Sequence, residues 1–297
     1  LTDKDQIMEK YSSFFEDESC SQLKSEYTSM SDEELTAAME GCGETLISFA
    51  LKVKNNSWAK RELEFRVNSY GPYADPDYWG KKLITMRYSW LNNPTGICAN
   101  AGDMLYIFVG KEPKEGSTLE VDFINENNHK TERVALKKGL NIIPVVKNDR
   151  SLFIIYTADT QKEYTLADFD SIPIHIEGGY VNGYWDKGRH TDADWVDITR
   201  NHAKHKYMFI KGDYMMLFMN LSLLISPDVS PNTISDAIGW WDNMVKWEQG
   251  IMGLEEYRPS RFNNKLCGIS YAGDGLMSAS DYNTSYVETS LHDVMSF

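Results

Sequence analysis

Six histidines, His129, His175, His190, His202, His205 and His292, are the first candidates for metal or proton chemistry in this 297-residue chain. None lies in His-Glu-x-x-His. That spacing sets two imidazoles one helical turn apart and leaves a glutamate to activate metal-bound water. His202 and His205 are three apart and would share one face of a helix, but no third ligand accompanies them. Lys204 and Lys206 add positive charge beside them, so the pair reads as a surface feature. The acid pairs Asp75/Asp77, Asp192/Asp194 and Glu255/Glu256 are sequence neighbours. Two such carboxylates rarely straddle one glycosidic bond, so they read as solvated acidic loops. Cys20, Cys42, Cys98 and Cys267 are scattered, without Cys-x-x-Cys, which excludes a zinc ribbon and a disulfide scaffold. No Gly-x-Gly-x-x-Gly, phosphate-binding loop or Gly-x-Ser-x-Gly elbow occurs, which argues against dinucleotide, nucleoside-triphosphate and α/β-hydrolase chemistry.

Composition narrows the classes further. The net charge is -14, so there is no basic face for nucleic acid or an anionic membrane. Hydrophobic residues make up 42% and charged residues 25%, enough for a substantial core. No run approaches 18 apolar residues, so no transmembrane segment is expected. The opening Leu1-Thr2-Asp3-Lys4 lacks the basic-then-apolar pattern of an export signal, which leaves the compartment open. The 17 Tyr and 8 Trp suit either sugar stacking or packed sheets.

The elements that must position these residues fall into three stretches. Residues 1–50 read as helical, with a capping box at Ser31/Glu34 and an interruption at Gly41 and Gly43. Residues 51–160 read as strands. Leu63, Phe65 and Val67 alternate, and Leu119, Val121 and Phe123 alternate again. The run 105–109 is continuously apolar and suits a strand buried on both faces. Residues 125–130 read as a loop, and 134–136, 142–143 and 152–156 as further strands. This spacing predicts a β-sandwich of jelly-roll type. In 161–297, strands are expected at 172–176, 215–221, 266–271 and 276–279, with Gly273-Asp274-Gly275 as a hairpin signal. Helices are expected at 192–203 and 235–254. The second should bury a stripe of Ile238, Trp241, Val245, Glu248 and Ile251.

Three stretches in this order resemble a known family. They are Asn93-Pro94-Thr95-Gly96-Ile97 with Ala99 to Asp103, then Ile174 to Gly179 (IHIEGG) with Thr191 to Trp195, then Trp241-Asp242 through Met252-Gly253-Leu254 to Arg258-Pro259. The pattern resembles enhancin-like zinc metallopeptidases, which target mucins. Cys98 stands where an aromatic is common. The resemblance spans roughly residues 50–290. It implies an α+β fold: a helical N-terminal segment (1–50), a β-sandwich domain (51–160) and the first part of a peptidase domain (161–297). It implies an exported or cell-surface protein with a glycoprotein or mucin substrate and no nucleic-acid partner. It also implies that Met277, Ser278, Ala279 and Tyr282 line an extended substrate by strand addition. The family's His-Glu-x-x-His would follow that strand, and this sequence reaches Phe297 without it. Zinc is therefore expected in the full-length enzyme and not in this chain, which should be inactive by itself. Glu288 and His292 have the wrong order and spacing to substitute. The rival is a noncatalytic surface module that binds glycans or glycoproteins through Tyr70, Tyr73, Tyr78 and Trp79.

Overall fold

The computed structural model describes residues 3–85, 87–125, 130–160, 164–227, 233–275, 277–280 and 282–296. The chain opens with α1 (Asp3–Ser12), α2 (Ser25–Thr28), α3 (Asp32–Ala38) and α4 (Glu44–Asn55). The expected capping box closes the start of α3. The Ser31 hydroxyl accepts from Glu34 N at 3.1 Å, and Glu34 Oε2 accepts from Ser31 N at 2.8 Å. Gly41 and Gly43 separate α3 from α4 in the left-handed region, at φ 88° and 89°.

The middle of the chain holds α5 (Glu62–Arg66), β1 (Val67–Tyr70), β2 (Tyr73–Ala74), α6 (Pro76–Leu83), β3 (Pro94–Ala99), β4 (Met104–Val109), β5 (Ser117–Asn125), β6 (Lys130–Ala135), β7 (Gly139–Pro144), β8 (Arg150–Ala158), β9 (Ile172–Glu177) and β10 (Tyr180–Val181). One antiparallel sheet runs β1-β9-β4-β7 and a second runs β10-β3-β8-β5-β6, with β2 beside β8. Both give side chains to one apolar core. Strand β4 shows why its sequence does not alternate. Leu105, Ile107 and Val109 enter that shared core, while Phe108 and Tyr106 pack on the N-terminal helices beside Tyr11 and Phe49. Each large apolar side chain buried in this way contributes about 1.5–3 kcal/mol. The 125–130 loop falls mostly on residues outside the described set, as do His129 and Leu276.

The third region comprises β11 (Trp185–Asp186), α7 (Asp192–Asp197), β12 (Tyr207–Lys211), β13 (Met215–Asn220), α8 (Leu221–Leu224), α9 (Ile234–Ile251), β14 (Leu266–Tyr271), β15 (Met277–Ser280), β16 (Asn283–Val287) and α10 (Leu291–Met295). Its mixed sheet runs β11-β12-β13-β14-β16-β15. The protein is thus a mixed helix-and-sheet fold with several sheets.

Four local expectations are corrected. Leu63 and Phe65 lie in a single helical turn, α5, and not in a strand. A salt bridge from Arg66 to Glu62 at 3.0 Å and an Asn68 bond to the Glu64 carbonyl at 2.9 Å hold that turn. Three alternating apolar residues are too few to separate a strand from one turn of helix. The Gly273–Gly275 signal does not join neighbouring strands: β16 runs parallel to β14, and the hairpin is β15–β16, closing between Ser280 and Asn283. The stripe of α9 is Ile234, Ala237, Ile238, Asp242, Val245 and Gln249, while Glu248 and Ile251 are exposed. Trp79 is fully buried against Tyr257, Phe262 and Tyr88's cluster, and Tyr70 is buried too, so neither can stack on a sugar.

Candidate functional site

The family-like stretches converge on tie points between elements. In the first, the Thr95 hydroxyl donates to the Leu152 carbonyl at 2.8 Å and accepts from Ile97 N at 3.0 Å. The Gly96 carbonyl accepts from both Asn182 and Gly183 backbone N–H groups, at 2.8 and 2.9 Å, and so ties β3 to the chain after β10.

In the second stretch, Glu177 is the buried centre. Its Oε1 accepts from Trp58 Nε1 and His175 Nε2, each at 3.2 Å, and its Oε2 from Lys52 Nζ at 3.0 Å. Arg66 adds its charge at 3.9 Å and donates to the Ile176 and Gly178 carbonyls. The other nitrogen of His175 meets the Cys20 carbonyl at 3.2 Å. Both partners of that ring are acceptors, so both bonds form only when both ring nitrogens carry hydrogen. Burial raises the Glu177 carboxyl, but the hydrogen bond from His175 and the charges of His175, Arg66 and Lys52 outweigh it and bring its pKa to about 2. Lys52, Trp58 and Cys20 come from the N-terminal helical region, so Glu177 locks that region to β9. The following glycines carry the chain from the first sheet to the second. A Cβ on Gly178, at φ 91°, would collide with the Met104 carbonyl oxygen. One on Gly179 would sit 2.5 Å from the Cys98 carbonyl oxygen.

Thr191 and Asp194 form a capping box on α7, and Asp192 accepts from Ser235 at the start of α9. Asp194 also pairs with Arg61, whose hydrogen bond holds its carboxyl well below the usual range. Asp242 is a buried clamp on the turn before β13. It accepts from the backbone N–H of Asp213, Tyr214 and Met215 at 2.9, 2.8 and 3.0 Å, and from Lys187 Nζ at 2.9 Å. Arg258 donates to Gln249 and to the Asn264 carbonyl, each at 2.6 Å, and stacks on Tyr214. Asp75 caps α6. The acid pairs therefore include structural caps and clamps, not only solvated loops.

The described histidines do not assemble a zinc site. Among the described residues no group of three or more His, Cys, Asp or Glu is placed to hold a metal ion. His175 serves Glu177, and His190 Nδ1 accepts from Asp186 N at 2.9 Å. His205 is buried, with Nδ1 accepting from Tyr207 N at 3.2 Å, whereas the sequence placed it on the surface beside His202. Strand formation from Tyr207 onward pulls it inside, while His202 ends a π turn after α7. The four cysteines are buried and none is in a disulfide, and burial pushes the Cys267 thiol up to about 12. The residues present do not fit the family's metal.

The expected substrate-lining residues lie together at the edge of the third sheet. Strand β15 pairs only with β16 among the described strands, with Met277 opposite Tyr286, Ser278 opposite Ser285 and Ala279 opposite Thr284. Met277, Ser278 and Ala279 are exposed. Tyr282 sits in the turn at φ 77°, and its hydroxyl accepts from Arg87 and donates to Asp77 at 3.1 Å. Those bonds fix the hairpin to the loop after α6 and leave the β15 backbone edge open. A hollow of about 330 Å³ lies against β14 and β16, lined by residues including Arg87, Tyr88, Glu248, Met252, Leu266 and Thr284, with none from β15. Sequence reasoning missed this hollow, because its walls come from four separate elements.

No family model matches the sequence, and no curated protein matches it. Solved structures do. A metallopeptidase from Bacteroides thetaiotaomicron superposes over 97% of the chain with a TM-score of 0.85 and 31% identity. A metallopeptidase in complex with Tn antigen covers 80%, with a TM-score of 0.72 and 35% identity. The CBM32-1, CBM32-2 and M60 catalytic domains of Clostridium perfringens ZmpB cover 98%, with a TM-score of 0.69; at 16% identity that likeness is one of fold alone. The chain spans 48% and 44% of the first two structures, about half their length. The first two of these structures are metallopeptidases, the class that the three stretches resemble. Among the described residues no helix is long and apolar enough to cross a membrane.

Proposed function

We propose that the chain is the N-terminal, noncatalytic part of an exported zinc metallopeptidase that acts on glycoproteins such as mucins, and that it is inactive by itself. The observation that carries this reading is the agreement over 97% of the chain with a metallopeptidase about twice as long. The zinc ligands and the water-activating glutamate then belong to the remainder of the parent protein. Residues 1–50 act as a helical brace, 51–160 as a sandwich whose two sheets β9 and β10 complete, and the rest of 161–297 as the first part of the peptidase domain. The open edge at Met277, Ser278 and Ala279 takes an extended stretch of substrate by strand addition, with the hairpin held at Tyr282. The Tn antigen on one similar structure supports a glycosylated substrate. Of the four rings of the rival glycan-binding module, Tyr70 and Trp79 are buried and Tyr73 and Tyr78 are half-buried, which weakens that reading.

The test is to read the gene past Phe297 and produce both the longer protein and this chain. The longer protein should encode His-Glu-x-x-His, bind one zinc and cleave mucin in a chelator-sensitive way. The 297-residue chain should bind no zinc and cleave nothing. A stop codon directly after Phe297, or zinc-dependent cleavage by this chain alone, overturns the reading.

A further inference from the structure

Strand β8 carries a charge on a face of its sheet that is otherwise apolar. Residues two apart along a strand share a face, and directly paired residues of antiparallel strands stand on the same side. Arg150 therefore shares its side with Leu152 and Ile154. Phe123 and Val121 of β5 join them, opposite Leu152 and Ile154, and Val134 of β6 stands opposite Val121. Leu152, Ile154, Phe123 and Val121 belong to the core shared with the facing sheet. Arg150 sits at the rim of that core and is only 7% exposed.

Its charge is unanswered. Nε and Nη1 of Arg150 are buried and meet no hydrogen-bond partner. The chain has 44 Asp and Glu, yet among the described residues none forms an ion pair with Arg150. Arg66, equally buried, shows the contrast: it bonds Glu62 and the Ile176 and Gly178 carbonyls. A guanidinium keeps its charge at any ordinary pH, and a buried charge without a partner is costly. Such a group calls for a bound water or ion.

Arg150 lines a hollow of about 40 Å³ at this end of the sandwich. One water needs roughly 10–15 Å³, so the hollow admits a compact group and not a sugar ring. Phe123, Val134, Ile143 and Val145 give it apolar walls, and its charged lining residues are Arg150, Lys147 and Glu132. That is two cations to one carboxylate, the reverse of the chain's balance of -14. The Lys147 ammonium meets Glu132 at 3.2 Å, with side chains 58% and 48% exposed. An exposed pair of this kind is weak, so an incoming anion can take the place of Glu132 on Lys147. The guanidinium is fixed and dry, and its planar N–H groups match two oxygens of a carboxylate or sulfate group.

We propose that this rim hollow binds a small oxyanion of carboxylate or sulfate type, with Arg150 as the buried anchor and Lys147 closing over it from the surface. None of these residues belongs to the β15 edge, so the site does not depend on the peptidase reading.

The first probe is inorganic sulfate, added to the 297-residue chain at constant ionic strength against sodium chloride. Sulfate should raise the thermal midpoint saturably, at one site per chain. Arg150→Met should weaken sulfate binding at least tenfold, and in sulfate-free buffer it should unfold no earlier than the unsubstituted chain, because it removes an unpaired buried charge. Glu132→Gln removes the competitor for Lys147 and should tighten sulfate binding about threefold. A response to sulfate no larger than that to chloride, as expected of a hollow that holds only water, overturns the site, and so does binding that Arg150→Met retains. Should Arg150→Met fail to fold, selenate soaked into crystals of the unsubstituted chain decides. An anomalous peak within hydrogen-bond reach of the Arg150 guanidinium supports the site, and its absence overturns it. Galactose 6-sulfate and glucuronic acid separate the sources: tighter binding of either than of sulfate assigns an oxyanion carried on a sugar, and equal or weaker binding assigns a free one.

Discussion

The sheets of the middle region and the sheet of the third region treat their surfaces differently. Strand β4 is covered on both faces, by the shared core and by the N-terminal helices, and its neighbour β9 ends in a carboxylate with every oxygen engaged. In the third region, β15 leaves its backbone edge open and α9 turns apolar side chains outward. The contrast teaches where to look for function. Glu177 and Asp242, in two of the recognisable stretches, are committed to internal bonds, whereas the β15 edge and the outer row of α9 are exposed.

The largest expected effect tests how fully the closed region depends on its centre. Glu177→Gln leaves the Lys52 and Arg66 charges without a counter-charge and should cost about 4 kcal/mol in denaturant unfolding. It should also remove an acid-dependent component. The folded Glu177 pKa is depressed to about 2, so its contribution is complete above the ordinary glutamate value and is lost as pH falls through about 2. An unchanged acid profile in the variant would break the comparison. Next, Gly178→Ala combines a left-handed φ with a clash against a carbonyl oxygen and should cost about 3 kcal/mol.

A third experiment concerns Lys265, buried beside Lys211, Arg258 and Asp242, with its Nζ donating to the Asp213 carbonyl at 2.5 Å. Burial first and the Lys211 charge second lower its pKa to about 7. The unfolded chain then binds the extra proton between pH 7 and the ordinary lysine value, so this residue makes stability rise with pH across that window. Lys265→Met should flatten the rise, read as the difference between the two stability-versus-pH curves. The smallest effect is expected on the open side. Trp247→Ser in this chain should change stability by less than about 0.5 kcal/mol, because the ring is mostly in water. A larger loss would mean that the outer row of α9 is already covered.

Some of this was readable in one dimension. The Ser31/Glu34 capping box, the strand at 105–109 and the inner face of α9 around Ile238 and Val245 rest on local chemistry and periodicity, which a short window contains. The Ile251 assignment failed because helical spacing reports a periodic apolar row but not which of two rows meets the core. Trp79 was ambiguous because ring type is the same for a sugar platform and a core. The edge residues Met277, Ser278 and Ala279 came from resemblance, and the sheet order that leaves them at an edge follows from β16 inserting beside β14.

By itself, then, the sequence determined which segments are helix or strand wherever caps and periods agree. It also determined the absence of a zinc-binding motif among these residues. The tertiary structure decided the partners. It put Glu177 at the junction of helices and sheets, made Asp242 a clamp, buried His205 and Trp79, and left one ridge of α9 in water. The physical reason is that capping and periodicity act over a few residues, whereas burial and pairing depend on groups far apart in sequence, 125 positions between Lys52 and Glu177 and 205 between Asp77 and Tyr282.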